Sequence, residues 1–100
     1  MATTSKALFR GAATTSSTTL YTTPSSTTTV VTNIVVANTA DAAASFTVLL
    51  DDVSIATTVS VGALDTTVID LKQVLATTKT IKGSASATTV NFHISGVEIA

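Results

Sequence analysis

His93 is the only histidine of the 100-residue chain, and Asp51, Asp52, Asp65 and Asp70 supply four of its six acidic side chains. These residue types could hold a metal or move protons. A metal site needs two or three such ligands converging, and the chain has no cysteine to help. His93 follows Phe92 in an alternating segment, on the outward side with Asn91 and Ser95. It is expected as an exposed strand histidine, with a pH-sensing interface contact as the second reading. Asp51 and Asp52 are adjacent, so on a strand they would point to opposite faces, whereas paired-carboxylate catalysis needs both on one bond. The pair reads better as a turn; a calcium site with Asp65 or Asp70 is the alternative, since hard cations want several oxygens from different loops.

Serine and threonine hydroxyls abound, yet a nucleophile needs a base and an orienting acid around it. One outward histidine does not provide that, and the four glycines (Gly11, Gly62, Gly83, Gly96) lie too far apart for a phosphate loop. Neither an enzymatic function nor a cofactor is expected. Lys72, Lys79 and Lys82 gather three of the five cations within a short span. They read as solvated loop charges or as a contact with an acidic neighbouring subunit.

The elements that must carry these residues are β-strands. Threonine occurs 23 times, and with valine and isoleucine it suits a pleated, half-buried surface better than a helix. Short strands are expected at Lys6–Arg10, Thr18–Thr22, Thr28–Asn38, Ser45–Leu50, Val53–Val61, Thr66–Leu71, Thr80–Ser84 and Thr89–Ile99. Val30, Ile34 and Val36 should share one face of the third, and Val53, Ile55, Val59 and Val61 one face of the fifth. "TPSS" around Pro24, "DD" at Asp51–Asp52 and "GALD" at Gly62–Asp65 are turns, and Lys72–Lys79 is a loop. The apolar parity changes at Gly96, which predicts a β-bulge or bend at Ser95–Gly96.

About eight short strands predict an all-β fold, an antiparallel two-sheet β-sandwich of jelly-roll or immunoglobulin-like connection. The sandwich should span residues 14–100, preceded by an extended N-terminal arm over residues 1–13. Lys6, Leu8, Phe9 and Arg10 on that arm could lie across an adjacent protomer, and within the sandwich Tyr21 is the one aromatic ring outside the expected core.

Charged residues make up 11% of the chain and hydrophobic ones 45%, with a net charge of −1. That balance argues against disorder and gives no electrostatic case for nucleic acid or an anionic membrane. The opening "MATTSKALFRGAATTSS" holds no apolar run long enough for a signal peptide, so synthesis and assembly in a cytoplasm are expected. So little surface charge suits a subunit covered by neighbours, a homo-oligomer.

"TLYTTPSSTTTVVTNIVVANTADAAASFTVLLDD" and "VSVGALDTTVIDLKQVLATTKTIKGSASATTVNFHISGVEI" carry a further pattern. A strand ends in "LYT.P", a Val-rich strand ends in Asn, an "FTV.L" strand follows, and the chain closes on "SGVE". From about Thr18 to Ile99 this resembles small virion proteins of tailed bacteriophages. The resemblance implies a non-enzymatic structural subunit, present in several copies, in the tail (minor tail or tail tip) or decorating the virion surface. Its partners would be copies of itself and other virion proteins. Capsid decoration that stabilises the head, or a carbohydrate-binding module for host attachment, are the alternatives. The loop after Asn38, "TADAAAS", departs from what a specific receptor contact would need, being Ala-rich.

Overall fold

The computed structural model describes residues 2–100, and those residues form eight strands and no helix. The strands are β1 (Thr3–Ala12), β2 (Thr18–Thr22), β3 (Thr28–Asn38), β4 (Ala44–Leu50), β5 (Val53–Val61), β6 (Thr66–Leu75), β7 (Thr80–Ala85) and β8 (Val90–Ile99). They build two four-stranded antiparallel sheets, ordered β1-β8-β3-β6 and β2-β7-β4-β5. This is the two-sheet sandwich expected from the alternation. The order is also that of a nested hairpin: β1 pairs β8, β2 pairs β7, β3 pairs β6 and β4 pairs β5. Folding such a hairpin over on itself produces a double-sheet jelly roll.

The hairpin tip is Asp51–Asp52. Both residues sit at positive φ (54° and 60°), the conformation of a two-residue type I′ turn whose twist matches the strands it joins. At the opposite end Asn38, 3% exposed, ties three loops together. Its Nδ2 donates to Ala42 O (2.7 Å) and Gly62 O (3.2 Å), while its Oδ1 accepts from Ala40 N (3.1 Å) and Thr89 Oγ1 (3.3 Å). A buried amide with both ends satisfied fixes loop positions that apolar contacts alone would leave loose.

The core lies between the sheets. Val31, Ile34, Val36, Phe46, Val48, Ile81, Val90, Phe92 and Ile94 are almost wholly buried. Phe46 and Phe92 meet across the sheets edge to face, with ring centroids 6.2 Å apart.

Several expectations are corrected by the strand pairing. Among the described residues no arm projects from the sandwich: Thr3–Ala12 are an edge strand of it, paired with β8 from Thr3↔Ile99 to Ala12↔Asn91. Leu8 is buried and Phe9 packs on the core, because the edge of β8 would otherwise be left open. The parity change at Ser95–Gly96 does not interrupt β8, whose buried alternation runs through Val90, Phe92, Ile94 and Gly96. The extra residues lie on its two neighbours, at Leu8 on β1 and Thr32 on β3. A Cβ on Gly96 would meet Val30 O at 2.4 Å and Leu8 Cδ1 at 2.9 Å, so glycine lets both bulged strands close over it.

The Thr32 bulge also flips the phase of β3: Val31 is buried beside Ile34 and Val36, and Val30 turns outward. In β5, Ala56 takes the buried place opposite Val48, leaving Ile55 41% exposed, because the pairing shifts register twice. Finally, β6 does not stop at Leu71. Gln73, Val74 and Leu75 pair with Val31, Val30 and Thr29, which satisfies backbone groups a loop would have left to water.

Candidate functional site

The acidic residues do not converge. Asp51 and Asp52 occupy the β4–β5 turn and Asp65 the β5–β6 turn, so the whole length of β5 separates them. Asp51 faces Lys79 at 3.7 Å and Asp52 faces Lys82 at 2.6 Å, while Asp65 Oδ1 accepts from Thr66 N. Asp70 lies in mid-β6 opposite Asn33. Among the described residues no group of three or more His, Cys, Asp or Glu side chains could hold a metal ion. His93 is exposed on the outer face of its sheet, between Arg10 on β1 and Val35 on β3.

The expected lysine group is divided. Lys79 and Lys82 neutralise the Asp51–Asp52 turn within their own chain, whereas Lys72 is on β6, in the other sheet. Those surface pairs contribute little stability.

Tyr21, expected outside the core, is only 9% exposed. Its hydroxyl donates to Glu98 Oε2 and accepts from Thr29 Oγ1 at 2.8 Å. Glu98 is fixed from the other side by Lys6 Nζ at 3.5 Å. The cluster joins β1, β3 and β8 of one sheet to β2 of the other at one end of the sandwich. Burial, with the Glu98 carboxylate as a second cause, pushes the Tyr21 phenol up to about 12. A ring held this way is not presented to a sugar.

What the structure does leave open is a set of large apolar side chains on two edge strands and the turn between them. Val53, Ile55 and Val59 on β5, Leu64 in the β5–β6 turn, and Val68 and Val74 on β6 are the large apolar residues left exposed, from 37% to 71%. β5 and β6 are edge strands of the two sheets, and their connecting turn sets them along one side of the sandwich. Leu64 (71% exposed) holds a left-handed φ of 52°, a conformation that costs a branched side chain free energy. Sequence reasoning missed this side because alternation alone assigns a valine inward, and only the strand order says which strands are edges. The Val68, Asp70, Lys72, Val74 alternation was the available signal, hidden once Lys72 was read as loop.

The chain matches no family model, no curated protein and no solved structure.

Proposed function

We propose that the chain is a non-enzymatic structural subunit of a tailed-phage virion. It works in the tail (minor tail or tail tip) or on the virion surface, by packing against copies of itself and other virion proteins. It assembles in the host cytoplasm and resides in the particle. The observation that carries this reading is the β5–β6 side, where six large apolar side chains stand open to solvent in a chain only 11% charged. Large apolar side chains left exposed along two edge strands support a surface that another protein covers. The phage context comes from the resemblance over Thr18–Ile99. Double-sheet jelly rolls also recur in capsid proteins and lectins, which supports the reading by analogy only. Capsid decoration would use the same packing chemistry at the head. A carbohydrate-binding role has lost its candidate ring, since the Tyr21 hydroxyl is occupied inside the sandwich.

Immunogold labelling of tailed particles from cells expressing the chain tests this. A fixed position on the tail or head is expected, with light scattering showing self-association of the purified protein. A strictly monomeric chain that labels no particle would sink the proposal.

A further inference from the structure

We infer that β6 is a self-recognition strand, pairing antiparallel with β6 of a second copy about a two-fold axis at Leu71. The inference deepens the self-association half of the function proposed above and names its surface.

The sandwich has four edge strands, β1, β6, β2 and β5, and three are poor templates for an added strand. β1 carries the Leu8 bulge together with Lys6 and Arg10. β2 is five residues long and its register shifts between Thr19 and Tyr21. β5 shifts register twice against β4 and has Thr58 at positive φ. Short, bulged or cationic strands are how sheets keep their edges from pairing. β6 shifts register once against β3, between Asp70 and Gln73, yet it is ten residues long and its alternate residues Val68, Asp70, Lys72 and Val74 are all exposed.

Its sequence is complementary to itself when reversed. With Leu71 on the axis, Val68 falls opposite Val74 of the second copy, Asp70 opposite Lys72, Ile69 opposite Gln73, and Thr67 opposite Leu75. Residues opposite each other in an antiparallel pair share a face, so the outer row reads valine, aspartate, lysine, valine against its own reverse. Val68 and Val74 are 57% and 68% exposed in the single chain and would be covered together. Asp70 and Lys72 have no ion-pair partner among the described residues, whereas Lys6, Lys79 and Lys82 all do. Pairing would satisfy the free backbone groups of both edges and create one eight-stranded sheet, the isologous geometry of a two-fold dimer.

Charge exchange on the full chain tests the register. Asp70→Lys sets lysine against lysine twice per dimer, and Lys72→Asp sets aspartate against aspartate twice. Sedimentation velocity at low salt should show dimers for the unaltered chain. For each variant alone, self-association should be about tenfold or more weaker. Mixing the two variants should restore association as a heterodimer, seen at its mixed mass by native mass spectrometry. Both positions are exposed, so circular dichroism should show the fold intact. Variants that associate as well as the unaltered chain, or fail to rescue each other on mixing, overturn the β6 pairing and leave self-association standing. An unaltered chain that stays monomeric at every concentration overturns both.

Discussion

Tyr21 shows how one hydroxyl can couple both sheets to pH. The phenol is neutral while it donates to Glu98, and ionising it would set two negative charges side by side in a poorly solvated place. Its pKa is therefore raised from 10.0 to about 12, by burial first and by Glu98 second. The folded-state value lies above the unfolded one, so the unfolded chain releases this proton first as pH rises. The stabilisation is thus fully present below pH 10 and is lost as pH rises from there toward 12. Urea unfolding of the protein and of Tyr21→Phe across that window checks this. Removing the hydroxyl should cost about 1–3 kcal/mol near neutrality, because Thr29 and Glu98 lose a buried partner. The gap between the two proteins should narrow above pH 10; a constant gap would contradict the assigned cause.

At the scale of the element, β1 decides what an N-terminal truncation means. An arm could be removed with loss of assembly alone, but β1 contributes Leu8 and the Phe9 ring to the core and covers the edge of β8. Deleting residues 1–13 should therefore lower the midpoint of thermal unfolding, or abolish folding, as well as affecting association. Thermal melts by circular dichroism would show this, and a truncated chain with an unchanged midpoint would return β1 to the status of an arm. Strand positions were legible because period-two alternation and turn residues are local signals: β2, β3 and β5 have the bounds the pattern predicts. The bulges were legible only in part. The broken parity at Gly96 marked the right place along the chain, yet the inserted residues, Leu8 and Thr32, belong to the flanking strands. A bulge is a property of a pair, and one strand's sequence does not say which partner carries it.

The whole molecule is a long hairpin folded over, so most of its contacts join residues distant in sequence. Ala2 N donates to Ala100 O and Ala100 N to Ala2 O, at the far end of the hairpin from the Asp51–Asp52 tip. Loop closure must precede most of the stabilising pairings, and such topologies fold slowly. Stopped-flow circular dichroism should record refolding in about milliseconds to seconds. A markedly faster phase carrying the full amplitude would mean that local hairpins, rather than the nested pairing, limit the reaction.

By itself the sequence determined the all-β class, the turn chemistry at Asp51–Asp52, and most of the buried positions, including Phe46, Val48, Phe92 and Ile94. Each of these follows from a residue's own conformational preference or its alternation with near neighbours. The tertiary structure alone decided that residues 3–12 complete a sheet, that Tyr21 turns inward to Glu98, and that β5 and β6 are edges with apolar side chains left in water. Those outcomes depend on which strands become neighbours. The order β1-β8-β3-β6 over β2-β7-β4-β5 is set by the closing of one nested hairpin, a long-range event that no local pattern records.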